Sequence, residues 1–241
     1  MNKPLVIGLA AILLLGAAGF GFYSFMVSPT KGPSQVAEAP SKPAVPQAQA
    51  PMEFTAPPTE NMGDNPFRID AASSKATFSI FEILRGEPKT VIGTTTNISG
   101  VFMADMDDLS QAKLGTIYIN ARTFSTDSSQ RDNTTRRAIL KTEDDANEFI
   151  TFKTISIEGL PTSTATGTLL TYSITGDLTI SGVTKPAVFT GSGTFNSENE
   201  FVGNASTTVK RSDFNLIVPS LAFLADVADE VPLTIEFTAK R

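Results

Sequence analysis

The sequence predicts an all-β, antiparallel fold for most of this chain, and three observations carry that prediction. Apolar and polar residues alternate with a period of two in several segments, most clearly over residues 170–180. Gly, Pro, Asn and Asp separate these segments at short intervals, as turn residues do. From residue 66 onward the chain is rich in Thr, a β-branched type that favours strands. Such alternation is typical of antiparallel sheets with one buried face.

Residues 1–27 are predicted to form a membrane-spanning segment. Leu5 to Val27 is an uninterrupted apolar run without a charged side chain. At about 1.5 Å per residue, a helix of that length crosses a hydrocarbon layer of about 30 Å. Gly16 and Ala18 leave a cleaved signal peptide open, although the run exceeds the usual apolar region of about 7–15 residues. Either way, we expect the rest of the chain to be extracytoplasmic, in the periplasm or at the cell surface. With the anchor retained, the chain is a single-pass protein of the cell membrane.

Residues 28–65 differ sharply from this anchor. More than half of the prolines of the chain fall in this segment, and Ala, Gln, Ser and Thr make up most of the remainder. Such a composition buries too little apolar surface to offset the entropy lost on ordering. We therefore predict a disordered, partly extended linker between the anchor and the β domain.

The predicted β domain covers residues 66–241. Its strongest alternation lies at 170–180 and 231–239, and shorter stretches surround Phe78, Ile117 and Ile150. A weak helical period at 131–140, and a weaker one at 221–228, predict one or two short helices. Residues 84–90 suggest a long connection after the first long strand. Seven to nine strands with little helix indicate a sandwich or a closed barrel, and alternation alone does not choose between them.

The composition excludes several classes of function. The chain has no His, Cys or Trp, which removes Ser-His-Asp triads, Cys nucleophiles, disulfides and the usual zinc, copper and iron-sulfur sites. Its net charge of −6 argues against nucleic acid as a partner. A glycosidase would need two carboxyl groups about 5–10 Å apart, and no pair stands out in the sequence. We therefore expect a binding protein rather than an enzyme, with no metal and no catalytic residue.

Five motifs, in the same order along the chain, resemble those of the YceI-like, polyisoprenoid-binding family. The segment GDLTISGVTKPAVF at 176–189 is similar to the family's central signature. RSDFNL at 211–216 resembles its R-S-D-F-G-L motif. The other three motifs are FRID with the following SS and F at 67–78, ARTFSTDSSQRD at 121–132 and FITF at 149–152.

The resemblance spans the whole predicted β domain and includes departures from the family's pattern. Phe67 stands where the family usually has Trp, Phe149 replaces a Pro, and Asn215 replaces a Gly. The family's common His near the first strand is missing. Any contact that this His makes with a ligand headgroup in relatives is therefore not expected here.

The resemblance implies an eight-stranded antiparallel, lipocalin-like barrel, which is wide enough to hold one small ligand. It also implies an apolar cavity for an isoprenoid or quinone-like lipid, with no other cofactor. The predicted function is a membrane-tethered carrier of such a lipid. The alternative is a structural or protein-interaction β domain with a solidly packed interior. A homodimer is left open.

Inward-facing apolar residues are the candidates for lipid contacts, since ligand cavities are lined mostly by apolar side chains. Any one of them could instead only fill the interior. The candidates are Phe78, Ile80, Phe102, Ile117, Ile119, Leu140, Phe152, Tyr172, Ile174, Leu178, Ile180 and Phe214. With Leu140 and Phe214, three further apolar residues could close a mouth: Leu221, Phe223 and Leu224.

Charged residues of the motifs have two interpretations. Arg131 and Arg211 could bind a polar headgroup, or they could hold loops through salt bridges and backbone hydrogen bonds. We favour the second. The acidic segments 105–108 and 143–145 lack the glycine and distal Glu of a calcium loop, so we interpret them as solvated turns.

Overall fold

The computed structural model describes residues 57, 60–220, 222 and 224–241, and these fold into an antiparallel, curled sheet with one short α-helix. The all-β prediction is thereby confirmed. The predicted membrane segment and all but a few residues of the predicted linker lie outside the described residues, as do Leu221 and Phe223. No helix in the described part of the chain is long and apolar enough to cross a membrane.

The described residues form thirteen strands rather than the eight expected. The number is higher because short irregularities divide long strands. Residues Ala71–Ser73 form a 3-10 turn between β1 and β2, and both of these strands pair with β13. The strands are β1 (Phe67–Ile69), β2 (Lys75–Leu84), β3 (Glu87–Thr95), β4 (Ile98–Ser99), β5 (Val101–Met103), β6 (Lys113–Leu114), β7 (Ile117–Asn120), β8 (Phe149–Glu158), β9 (Leu170–Ile180), β10 (Val183–Ser197), β11 (Glu200–Lys210), β12 (Leu224–Ala225) and β13 (Glu230–Lys240).

The sheet follows the order β4-β7-β8-β9-β10-β11-β13-β1-β5-β6, with β2, β3 and β12 attached beside β13. β13 pairs with β11 over its whole length, and on its other edge with β2 and β1. β4, at one end of this path, and β5, near the other, are separated only by Gly100. The carbonyl oxygen of Gly100 accepts a hydrogen bond from the amide of Ile69 at 3.0 Å.

The predicted long connection at 84–90 is wrong. Strands β2 and β3 form a hairpin closed by Arg85 and Gly86, with φ of 55° and 87°. Positive φ at both central residues is characteristic of the tight turn whose twist matches that of the flanking strands. Ser181 and Gly182 close the β9–β10 hairpin in the same way, with φ of 48° and 78°. A non-glycine residue comes first in each pair, and the glycine that follows supplies the conformational freedom.

The one short helix of the described residues, α1 (Ser129–Thr134), begins two residues before the predicted helical region 131–140, and a π-helical turn continues it over Thr135–Ile139. Ser128 caps it by accepting a hydrogen bond from the amide of Arg131. Asp132 is buried and accepts two hydrogen bonds of 2.7 Å, from the amide and hydroxyl of Thr126. At 221–228 the described residues contain strand β12 instead of the second helix.

Two apolar clusters fill the interior. The main cluster is built on buried residues of β2, β4, β7–β11 and the α1 region: Ala76, Ile98, Ile117, Ala121, Phe124, Leu140, Phe152, Leu178, Ile180, Phe189, Ala205 and Phe214. The aromatic cluster lies at the other end of the long strands and comprises Phe67, Ala104, Leu109, Leu170, Phe195, Phe201 and Ala239. Tyr172 packs against both clusters.

Candidate functional site

An outer cavity of about 240 Å³ lies beside the main cluster. It is lined by inward-facing residues of β2 and β13, by residues of the helical segment 128–140 and by described residues of the loop 216–227. Most of its lining is apolar, with a few polar groups near α1. The lining residues are Phe78, Ile80, Glu82, Leu84, Val91, Phe124, Ser128, Gln130, Arg131, Thr134, Thr135, Ile139, Leu140, Ile150, Ile180, Val209, Arg211, Leu216, Val218, Pro219, Leu224, Val227, Val231 and Leu233.

An inner cavity of about 110 Å³ adjoins it. The two cavities share four lining residues, Phe124, Ile150, Ile180 and Leu233. The remaining lining of the inner cavity is almost wholly apolar. It consists of Ile69, Ala76, Thr77, Phe102, Leu114, Ile117, Ile119, Phe152, Ile174, Leu178, Phe189, Ala205, Thr234, Ile235 and Phe237.

Ten of the twelve residues proposed from the sequence line these cavities. Phe78, Ile80, Leu140 and Ile180 line the outer one. Phe102, Ile117, Ile119, Phe152, Ile174, Leu178 and, again, Ile180 line the inner one. The other two, Tyr172 and Phe214, line neither cavity. Phe214 is buried in the main cluster.

A phenylalanine pair marks the level at which the two cavities meet. Phe78 on β2 is paired in register with Gly93 on β3, and its ring lies over that glycine. A Cβ atom at Gly93 would be 2.2 Å from Cε1 of Phe78, so the glycine makes room for the ring. The ring also contacts Phe124 edge to face, with 5.2 Å between centroids.

Tyr172 lies where the main and aromatic clusters meet. Its hydroxyl lies 3.2 Å from the carbonyl oxygen of Ser192 and 3.0 Å from that of Asn204, so it donates to neighbouring strands β10 and β11. The ring passes over Gly191, where a Cβ would meet Cε2 of Tyr172 at 2.8 Å. Burial raises the pKa of this hydroxyl far above its usual value, so it remains a hydrogen-bond donor.

The polar part of the outer cavity centres on a buried salt bridge. Glu82, 6% exposed on the inward face of β2, accepts from Nη2 of Arg131 at 3.3 Å. Arg131 also pairs with Asp127, which in turn accepts from Lys89 at 2.6 Å. The Lys89 hydrogen bond lowers the pKa of Asp127. This network attaches α1 to β2 and β3, in keeping with the structural interpretation of Arg131, while also placing Glu82 and Arg131 in the cavity wall.

Arg211 organises the loop that lines the outer cavity. Its guanidinium donates to the carbonyl oxygens of Leu216, Val227 and Ala228 at 3.1–3.4 Å. Asp229 accepts from both the amide and hydroxyl of Ser212, and these bonds lower the pKa of its carboxyl. The motif around Arg211 therefore holds both ends of the loop that covers the cavity.

The two acidic segments carry local hydrogen bonds. Asp105 and Asp108 accept from the amides of Asp107 and Ser110 at 3.0 and 3.1 Å. In the second segment, Asp144 accepts from the amide of Ala146 at 3.0 Å, and Asp145 forms a salt bridge to the more distant Arg122. These carboxylates therefore stabilise turns in the described structure.

Several lining residues were missing from the sequence-based set. The signal for Val231, Leu233, Ile235 and Phe237 was present, because they alternate along β13 with the same period as the chosen residues. Leu216, Val218 and Val227 had no such signal, since they lie in an irregular loop without a hydrophobic period.

Known proteins match this same β region of the chain. The model of the YceI-like domain matches residues 67–239. The structure of BcnA from Burkholderia cenocepacia superposes with a TM-score of 0.54 at 20% identity, covering 71% of this chain and 99% of that one. A polyisoprenoid-binding domain from Saccharophagus degradans, implicated in plant cell wall breakdown, superposes with a TM-score of 0.56 at 16% identity, covering 72% and 97%. No curated protein is matched by the sequence.

Proposed function

The chain belongs to the YceI-like domain family, and we propose that it is a membrane-tethered, extracytoplasmic protein that sequesters or carries an isoprenoid or similar lipid. The observation that carries the proposal is the pair of adjoining apolar cavities inside the curled sheet. Together they reach the lower end of the range of about 300–1,000 Å³ in which proteins bind small ligands. The polyisoprenoid-binding relative from Saccharophagus degradans supports the same ligand class.

The binding step is burial of an apolar tail. Apolar surface removed from water contributes about 25 cal/mol per Å², from which the loss of ligand freedom must be subtracted. The inner cavity suits the tail because its walls offer almost no hydrogen-bonding group. The outer cavity suits the polar end, since Glu82 and Arg131 lie there. The lining residues Ser128, Thr134 and Thr135, in and beside α1, add hydroxyl groups. The proposal includes closure of the curled sheet into a lipocalin-like barrel, with residues 98–103 joining its two ends.

Native mass spectrometry of the full chain purified from native membranes, followed by lipid extraction, tests the proposal. We expect a co-purified apolar lipid and uptake of added farnesol or geranylgeraniol. Ala205→Leu places a bulky apolar side chain in the inner cavity and should abolish uptake. Ala165→Leu adds the same group at an exposed position and serves as the matched control. A preparation that is always empty and takes up no prenyl alcohol would refute lipid binding and support a structural or protein-interaction domain instead.

The location and anchoring rest on the sequence of residues 1–65. A C-terminal alkaline phosphatase fusion, which is active only outside the cytoplasm, should be active. The intact mass of the mature protein distinguishes an anchor that is retained from one that is cleaved. Light scattering of the same sample measures whether two copies associate.

A further inference from the structure

The end of the inner cavity farthest from α1 is closed by aromatic rings. Phe102 and Phe237 line this end, and both rings contact Phe201 behind them, at centroid distances of 5.6 and 5.9 Å. Phe67 stacks on the other face of Phe102 at 4.8 Å with an interplanar angle of 8°. Phe102 and Phe237 therefore lie at the boundary between the inner cavity and the aromatic cluster.

Neither of the two cavities extends beyond that level in the part of the chain that the structure describes. Phe67, Phe195 and Phe201 are buried, and none of them lines either cavity. Phe195 and Phe201 contact each other at 4.8 Å, and the guanidinium of Arg241 covers Phe67 at 4.5 Å. The barrier is anchored in the sheet, because Phe201 occupies space that a Cβ at Gly193 would need, 2.3 Å from its Cζ.

We infer that Phe102 and Phe237 form a floor that limits how much of a prenyl tail the protein can enclose. The inference rests on the proposed lipid-binding function and specifies its ligand as a tail of about three to four isoprene units within the cavities. Along β13 the lining runs from Val231 to Phe237, which spans about 20 Å of strand. A tilt of about 40° reduces this to roughly 15 Å along the barrel axis.

The tail length follows from that distance. A prenyl chain has four backbone bonds of about 1.5 Å in each unit, so a zigzag unit advances roughly 5 Å. Three units therefore fill the span along the axis through both cavities, and a fourth extends past Val231 towards the outer-cavity residues Leu84 and Leu224. Units beyond the fourth would remain outside the mouth and would bury little additional surface.

A series of prenyl alcohols with 10, 15, 20, 25 and 30 carbons, compared pairwise by native mass spectrometry of the full chain, tests the floor. Each added unit up to 20 carbons should raise affinity by roughly tenfold or more, given the apolar area of one isoprene unit. From 20 to 30 carbons the gain should be under about threefold. An affinity that continues to rise steeply to 30 carbons would overturn the inference, whereas no uptake at any length would instead refute the proposed function.

Single-residue variants test which rings set the limit on tail length. Phe102→Ala should move the plateau to longer alcohols by about one unit, and Ile174→Phe should shorten it by filling the inner cavity. Phe195→Leu, which alters a buried ring behind the floor, should leave the plateau where it is. If Phe102→Ala does not fold, Phe237→Leu and Ile174→Phe still provide shifts in opposite directions. A plateau unchanged in both of those variants would refute the role of the floor.

Discussion

Replacing Gly93 with Ala tests whether the ring of Phe78 depends on the missing side chain beneath it. The new Cβ would lie 2.2, 2.3 and 3.0 Å from Cε1, Cζ and Cδ1 of Phe78. The ring must therefore move substantially, towards Phe124 and the cavities. Gly93 has no positive φ, so the backbone itself accepts Ala.

The two contributions have opposite signs, and their sizes decide the result. Without a clash, Gly to Ala in a strand stabilises a protein by about 0.5–1 kcal/mol. Forcing a ring out of a packed position costs about 1–3 kcal/mol. We therefore expect Gly93→Ala to lower the free energy of unfolding by about 0.5–2 kcal/mol, measured by urea denaturation. Uptake of geranylgeraniol should fall as well, because the displaced ring occupies cavity volume.

The double variant provides the control. In a Phe78→Leu background the shorter side chain leaves room for Cβ, so Gly93→Ala should become stabilising by about 0.5–1 kcal/mol. The change of sign isolates the contact between positions 78 and 93. If Gly93→Ala has the same effect in both backgrounds, the ring does not depend on the glycine and the reasoning is refuted.

Three further predictions concern polar groups. Tyr172→Phe should remove part of the stability loss at alkaline pH, because burial raises the pKa of the Tyr172 hydroxyl in the folded state. The contribution of this group to the free energy of unfolding is full below about pH 10 and is lost as pH rises through the folded pKa. Urea midpoints at pH 8 and 11 measure this, and equal losses in both proteins would contradict it. Asp132→Ala should cost about 1–3 kcal/mol in urea unfolding, because it leaves the partly buried amide and hydroxyl of Thr126 without this acceptor. Asp132→Asn keeps an acceptor oxygen and should cost less, so an equal cost would rule out this cause. Lys240→Met should raise the pKa of Asp70, which the Lys240 hydrogen bond lowers, as carboxyl NMR titration would show. The stability that Asp70 contributes is present above its unfolded pKa and is lost as pH falls through the folded one, so the variant should lose less stability in acid.

The long strands of the sheet could be predicted from the sequence because the alternation of apolar and polar residues is a local pattern. The pattern at 170–180 coincides with β9 (Leu170–Ile180), and that at 231–239 lies inside β13. The same pattern includes Glu82, which follows Phe78 and Ile80 on the inward face of β2 and is the buried partner of Arg131. A period-two signal identifies the face on which a residue lies, whatever its chemical type.

What alternation does not encode is the level of a residue along the sheet. Phe78 and Phe201 both occupy inward positions, yet one lines a cavity and the other is enclosed by rings. The distinction depends on register between strands far apart in the chain, such as Phe67 with Phe102 in β1 and β5. The loop 216–227 was unpredictable for another reason, since Arg211 holds it through carbonyl groups that any residue provides.

The separation of the aromatic cluster from the cavities affects how such a protein can change over generations. The buried residues of the aromatic cluster hold β1, β9, β10, β11 and β13 together, and none of them lines either cavity. Substitutions at Phe67 or Phe195 should therefore destabilise the fold without changing the cavity lining, whereas substitutions among the lining residues change the cavity surface directly. Selection for a new lipid would act on one half of the interior while the other preserves the architecture.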